Sequence, residues 1–272
     1  MFAILEIKEN SQGILALMKN HISKPEMNVR RVKISGGQPF FILSIRKSKN
    51  IPWQLIENKI GRLSGRMLLP NNVTPPSDSN VKALTVTRNL PAKMLLSTAI
   101  EISKLLKKPA VMQKITVVDR TGVYIDQIEF LIKYASVVRV ITDKIKQYDE
   151  IAQDILYKWG ASISVAKDLR NELKSDIIIS PFEQIDSADS LVLSTDTCKV
   201  MTARTAISPQ ISLPEEYKGF IPLGIDEQDF ACALYDACGL TKLADMNFET
   251  MLFEGTTQSI KKIANSIEYQ KV

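Results

Sequence analysis

Apolar positions along this chain follow two different rhythms. Over the first hundred or so residues, amphipathic strands and helices are interleaved with basic side chains. Residues 2–8 (FAILEIK) read as a strand, and 11–20 as a short helix despite Gly13. Residues 29–34 (VRRVKI) alternate apolar and basic positions, the period of a strand with one wet face. Gly36 and Gly37 mark a turn, and 39–45 supply the partner strand of a hairpin. Pro52 suits the first turn of a helix that runs to about Leu63, with Trp53, Ile56 and Ile60 on one face and Gly65 closing it. A short buried run at 66–69 follows. Residues 70–80 (PNNVTPPSDSN) are turn-formers throughout and predict a loop or linker, after which 83–87 fit a short strand. A long helix is predicted over 90–108, with Pro91 in its first turn and Ala92, Leu95, Ala99, Ile102 and Leu106 at helical spacing. Lys104, Lys107 and Lys108 fall in its last turn, where cations suit the negative helix end.

From 114 onward the rhythm changes. Short β-branched runs at 114–118, 137–141, 162–165, 176–179 and 190–194 alternate with helical segments at 123–135, 144–159 and, briefly, 168–174. The strands are near-continuous apolar runs, as parallel strands covered on both faces should be. Gly160 directly follows Trp159 at a helix-ending position. Residues 197–209 and 219–225 are less regular. A helix over 226–238 begins with Asp226 as its cap and has Gly239 just past its end, and 256–269 read as a terminal amphipathic helix. The predicted class is α/β: a basic α+β domain at 1–110, then a parallel-sheet domain at 111–272 with C-terminal helices.

The strand–helix alternation over 114–195 resembles the Rossmann-like superfamily. The glycine fingerprint of that superfamily, G-x-G-x-x-G after the first strand, is absent. The turn reads Asp119-Arg120-Thr121-Gly122-Val123-Tyr124 instead. Side chains at Arg120, Thr121 and Val123 stand where glycines let a backbone approach a pyrophosphate. The resemblance places any ligand at the C-terminal ends of the strands, here 119–124, 142–143, 166–168, 180–181 and 194–197, which are rich in hydroxyls and carboxylates. The cofactor-binding candidates are Asp119, Arg120, Thr121, Gly122, Asp143 and Ser180. Gly122 could leave backbone N–H groups facing an anion at a helix start, with Arg120 adding charge. That suits a single phosphate or carboxylate better than a dinucleotide. Asp119 has the alternative of occupying the space itself, which would leave the resemblance purely structural. Asp143 could bond a ribose hydroxyl, as its relatives' acidic residue does, or simply cap the helix that starts at Lys144.

Asp119-Arg120-Thr121-Gly122 is also similar to the phosphorylated Asp-Lys-Thr-Gly of P-type pumps and their haloacid-dehalogenase-like relatives. That resemblance makes Asp119 a nucleophile and requires Mg²⁺ on further carboxylates. No Gly-Asp-x-x-x-Asp follows, and no acid lies two residues after Asp119. Arg62 and Arg66 of the GRLSGR segment offer an anion clamp or a solvated helix end. Tyr124 offers pocket lining or packing. No Gly-x-Ser-x-Gly, Walker loop or zinc spacing occurs.

Composition narrows the function classes. The 272 residues are 45% hydrophobic and 24% charged, ordinary globular values that suit two domains or one large one. No apolar run reaches the ~18 residues of a membrane span. The first strand carries Glu6 and has no basic leader, which makes it a poor signal peptide. Cys198, Cys232 and Cys238 lack metal-ligand spacing and read as free thiols of a reducing cytoplasm. The single histidine, His21, reads as a surface or capping residue, which argues against triad and His-rich metal chemistry.

The net charge of +5 conceals a split: residues 1–110 hold 18 basic and 6 acidic side chains, residues 111–272 hold 17 and 24. Mutual attraction of the halves, or of two copies, accounts for that split better than nucleic-acid binding, because the cations are dispersed and aromatic residues sparse. Three classes stay open. One is a module that binds a small anionic ligand, or none, and works by association without a cofactor. Another is an NAD- or NADP-dependent oxidoreductase with an atypical phosphate loop. The third is a nucleic-acid-binding protein. None involves a membrane.

Overall fold

The computed structural model describes residues 1–8, 27–48, 50–168, 174–185, 189–195 and 204–269. The expected helix at 11–20, His21 and Cys198 lie outside the described residues, as does most of the expected short helix at 168–174. Strands are β1 (Ala3–Lys8), β2 (Met27–Val32), β3 (Phe40–Arg46), β4 (Met67–Leu68), β5 (Lys114–Val118), β6 (Val137–Ile141), β7 (Ile163–Ala166), β8 (Ile177–Ile179), β9 (Leu191–Ser194), β10 (Thr205–Ile207), β11 (Thr250–Phe253) and β12 (Thr256–Ser259). Helices are α1 (Trp53–Ile60), α2 (Asn89–Leu105), α3 (Ile145–Trp159), α4 (Glu215–Lys218), α5 (Glu227–Cys238) and α6 (Ile260–Tyr269). They form two compact units, Met1–Leu90 with Ile211–Leu243, and Pro91–Gln210 with Ala244–Val272. The sequence-based division at 110 differs from this one: the first unit ends at Leu90 and takes in α4 and α5 from late in the chain.

The first unit holds a four-stranded sheet in the order β2-β3-β1-β4. The expected hairpin is present, β2 pairing β3 antiparallel from Met27↔Ile45 to Val32↔Phe40. β1 lies parallel to both β3 and β4. Strand alternation gives this sheet two apolar faces. On one, Ala3, Leu5, Leu43 and Ile45 pack with Ile56 of α1, Met67 and Val81. On the other, Phe2 stacks on Phe40 with ring centroids 5.4 Å apart, and Phe230 of α5 meets the Phe40 ring edge-on at 5.5 Å. Phe230 is the physical reason a late segment joins this unit, since its fully buried ring completes the aromatic cluster. Gly37 lets the loop after β2 press onto the end of α5. A Cβ there would lie 3.1 Å from the Cys238 carbonyl oxygen, to which the Gln38 N–H donates at 2.7 Å. α5 itself begins and ends as its sequence predicts, with the Asp226 carboxylate accepting the Asp229 N–H at 3.0 Å and Gly239 at φ +66°. α1 stops at Ile60 rather than Leu63, because Gly61 turns to φ +54° and the chain tightens into a 3₁₀ turn over Gly61–Gly65. Of the expected strand at 83–87 only a single bridge, Met67↔Ala83, forms.

The second unit is built on an eight-stranded sheet in the order β12-β11-β10-β9-β8-β5-β6-β7. All neighbours from β7 to β10 pair parallel. Numbered from β5, the parallel strands read 3-2-1-4-5-6, the doubly wound order, with its switch point between β5 and β8. The fold is α/β with a Rossmann-like sheet. β11 and β12 extend the edge antiparallel.

The five predicted strands are present within a residue at either end. Two predicted helices are not as expected. Residues 123–135 form turns and a 3₁₀ segment, Ile128–Lys133, because the start of the segment is bound elsewhere, as described below. Residues 256–259 are β12, not the first turn of the terminal helix. Glu254 at φ +50° and Gly255 at φ +73° make a two-residue hairpin turn, and the β-branched pair Thr256 and Thr257 then faces Phe253 and Leu252.

Phe230→Ala is expected to lower unfolding stability by about 3–5 kcal/mol, the range for removing a buried phenyl ring. Urea unfolding of the full chain measures it. A loss under about 1 kcal/mol contradicts the role given to this ring.

Candidate functional site

β5 ends at Val118, and the next residue decides the character of the crevice. The Asp119 side chain turns back into the loop that follows it and is 1% exposed. Its Oδ1 accepts the backbone N–H of Gly122 at 2.7 Å and of Val123 at 3.0 Å, and Oδ2 accepts that of Tyr124 at 2.8 Å. The Tyr148 hydroxyl of α3 donates to Oδ2 at 2.5 Å, and the Thr121 hydroxyl reaches Oδ1 at 3.4 Å. Gly122 makes this convergence possible: it sits at φ +87°, and a Cβ there would fall 2.7 Å from Ile125 Cδ1. Three successive N–H groups in such a loop form an anion-binding concavity. Here the anion is the chain's own carboxylate.

Two tyrosines seal the cluster. Tyr124 is wholly buried and its hydroxyl donates to the Ala92 carbonyl at 2.7 Å, so packing and anchorage, not pocket lining, is its role. Burial, then the neighbouring Asp119 charge, pushes the phenols of Tyr124 and Tyr148 far above the ordinary tyrosine range. The Tyr148 hydroxyl therefore stays protonated and remains a donor.

The other predicted residues are brought to the same strand ends, where Arg120 and Ser180 are held by hydrogen bonds and Asp143 stands more than half exposed. The Arg120 guanidinium donates from Nε to Glu183 at 2.8 Å and from Nη1 to the Lys167 carbonyl at 2.5 Å, with Asp143 at 3.7 Å. One fork thus straps the segments that follow β5, β6, β7 and β8. Asp143 does not cap α3. The Lys144 N–H donates to the Thr142 hydroxyl at 3.0 Å, and the helix start carries no side-chain cap from Asp143. The Ser180 hydroxyl donates to the Glu183 carbonyl at 2.6 Å, and the Ser180 carbonyl accepts from Ser194 at 2.8 Å. Thr195 donates to the Pro181 carbonyl at 2.5 Å. The hydroxyls expected to line a polar pocket instead tie the loops of the strand ends to one another.

This geometry bears on three expectations. The N–H groups of 122–124 do not face an external anion, because the Asp119 carboxylate accepts them. Asp119 does not have the form of a phosphoryl acceptor: both oxygens are engaged and buried, and the described residues hold no cluster of three or more metal-ligating side chains. A dinucleotide's pyrophosphate does not fit the residues present, since the position it would take over the first turn is filled by Asp119 and flanked by Arg120, Thr121 and Val123.

Sequence reasoning missed Tyr148, Glu183 and Lys167 as partners. Tyr148 was legible only as one apolar-face position of a helix, and Glu183 as loop polarity. Elsewhere, Arg62 and Arg66 are exposed. Cys232 and Cys238 are buried in the first unit, and burial pushes their thiols up to about 12 and about 11. Among the described residues no helix is long and apolar enough to cross a membrane.

The class of protein this defines is an α/β protein with a Rossmann-like sheet whose ligand crevice is bridged by its own side chains. No family model and no curated protein matches the chain. Among solved structures it is similar to a lysine cyclodeaminase that recognises L-lysine, L-ornithine and L-2,4-diaminobutyric acid, at 14% identity and a TM-score of 0.29. That similarity covers 71% of this chain and 62% of the cyclodeaminase, so the chain spans less than two thirds of it. It is also similar to the L-tryptophan dehydrogenase of Nostoc punctiforme, at 12% identity and a TM-score of 0.30, covering 99% of this chain and 87% of that one. The Rossmann-like assignment rests on the strand order of the sheet.

Asp119→Ala leaves three backbone donors and a phenol without their acceptor. At about 1–3 kcal/mol for each buried donor, and allowing for water entry, the variant is expected to lose about 3 kcal/mol or more, against about 1 kcal/mol for Tyr148→Phe. Denaturant unfolding checks both; equal, small losses contradict the reading. The cysteines give a pH-dependent outcome. In the folded protein Cys232 and Cys238 should resist iodoacetamide at about pH 8 and react in guanidinium, read by peptide mapping. Because the folded thiol values are raised, their contribution to stability is intact below the unfolded value. It is lost as pH climbs from 9 toward 12, so the thermal midpoint should fall over that window.

Proposed function

We propose that this protein is a non-catalytic Rossmann-like module that works without a bound dinucleotide, through association or a small ligand held elsewhere than in the crevice. The observation that carries the reading is the Asp119 carboxylate seated on the N–H groups of Gly122, Val123 and Tyr124. A phosphate entering that position must expel a buried carboxylate and leave it facing a second anion, an exchange that electrostatics opposes. The Arg120 fork is already satisfied by Glu183 and the Lys167 carbonyl, so it offers no free cation to offset that repulsion. A hydroxyl nucleophile at the same strand ends would also have to be free to act. The hydroxyls of Ser180, Ser194 and Thr195 are each donated to a backbone carbonyl of the neighbouring loops.

The test is direct. NADH and NADPH titrated into the full chain and followed by nucleotide fluorescence should show no saturation tighter than roughly millimolar, about 4 kcal/mol of binding free energy. Micromolar saturation by either nucleotide overturns the reading and restores the oxidoreductase class.

A further inference from the structure

We propose that the second unit binds a small phosphorylated molecule in a basic cavity at the N-terminal ends of β5 and β6, at the opposite end of these strands from Asp119. The inference does not depend on whether the dinucleotide position is closed.

The cavity follows from alternation along the strands. On β5, Lys114, Thr116 and Val118 share one face, and the register Lys114↔Val137, Thr116↔Arg139 and Val118↔Ile141 sets the corresponding residues of β6 beside them. Toward the C-terminal end this face is apolar: Val118 and Ile141 pack with Ile178, Ile185 and Val192. Toward the N-terminal end the same face becomes basic and hydroxylic. A cavity of about 390 Å³ opens there, lined by Lys114, Thr116, Val137, Arg139, Lys174 and Ser175. Among the described residues, this end of the strands is not covered on that face. Val137 is 40% exposed, and Arg139 stands half-buried in mid-strand.

The floor and the charge both point to an anion. Thr116 is 1% exposed, and its hydroxyl meets that of the half-buried Ser175 at 2.7 Å, a polar rather than an apolar floor. Three cations surround the opening, and among the described residues none of them has an ion-pair partner. The neighbouring acid, Asp176, is committed: it binds Lys108 Nζ at 2.7 and 2.9 Å and accepts the Lys114 backbone N–H at 2.9 Å. Among the described residues, a half-buried guanidinium flanked by two ammonium groups has no acidic partner to supply the countercharge that desolvation calls for. A bound dianion supplies it. An arginine fork, two ammonium groups and two hydroxyls match the tetrahedral oxygens of a phosphate better than a planar carboxylate. The volume lies near the small end of ligand pockets, which fits a pyrophosphate or a sugar phosphate.

The experiment is calorimetric titration of the full chain with pyrophosphate at low ionic strength, with citrate as a parallel arm. Saturable one-to-one binding is expected, weakened at least about tenfold by Arg139→Gln and by Lys114→Gln, the scale of one lost charge-assisted hydrogen bond. Lys59→Gln, on α1 and outside the cavity lining, should bind as the unaltered chain does. Lys114 is exposed, so its variant keeps the test readable should Arg139→Gln unfold. No binding by the unaltered chain overturns the proposal, as does equal binding by the two cavity variants or an equal loss in Lys59→Gln. Citrate bound as tightly as pyrophosphate overturns the assignment to phosphate.

Discussion

A carboxylate buried at the end of a parallel strand has few ways to be satisfied, and Asp119 takes the nearest one. The chain turns at Gly122 so that three consecutive N–H groups point at it, and α3 brings the Tyr148 phenol to its remaining side. Leaving such a group unpaired would cost more than most single contacts contribute. The loop after β5 is thus shaped around the carboxylate. This explains why the segment does not run on as a regular helix and why Tyr124 is buried with its hydroxyl on Ala92.

Around that fixed point the rest of the strand ends are tied. In a doubly wound sheet the loops diverge at the switch point and leave a crevice. Here Arg120 crosses it, with Glu183 after β8 and the Lys167 carbonyl after β7 as its anchors. Hydroxyls at 180, 194 and 195 fasten the loops further out. The elements a nucleotide would use, a nest of N–H groups, an arginine and several hydroxyls, are all present and are turned inward on the protein. The sheet's opposite end has the reverse character, with three cations that have no ion-pair partner among the described residues around a polar floor.

Much of the second unit was legible in the sequence because β-branched runs and helix terminators are local signals. β5, β6 and α3 fall where their periodicity sets them, and the missing glycine fingerprint marks residues 119–124 as unlike the superfamily's usual turn. The capture of the loop by Asp119 was readable only as one of two alternatives, since whether a carboxylate or a ligand fills an N–H nest depends on what packs behind it. Tyr148, 29 residues away, has no sequence signal tying it to Asp119. The β11–β12 hairpin was hidden because Glu254 takes a left-handed conformation usually reserved for glycine or asparagine. The recruitment of α5 by Phe2 and Phe40 is a long-range packing event, which no local pattern announces.

The most direct measurement is hydrogen exchange of the Gly122, Val123 and Tyr124 amides, followed by NMR in the ligand-free protein. If the Asp119 carboxylate permanently fills their nest, Val123 and Tyr124 should exchange slowly, near the rate set by global unfolding, and adding NAD or NADP should leave their shifts and rates unchanged. Rapid exchange in the free protein, slowed when a nucleotide is added, would show that the nest is open and would contradict the account.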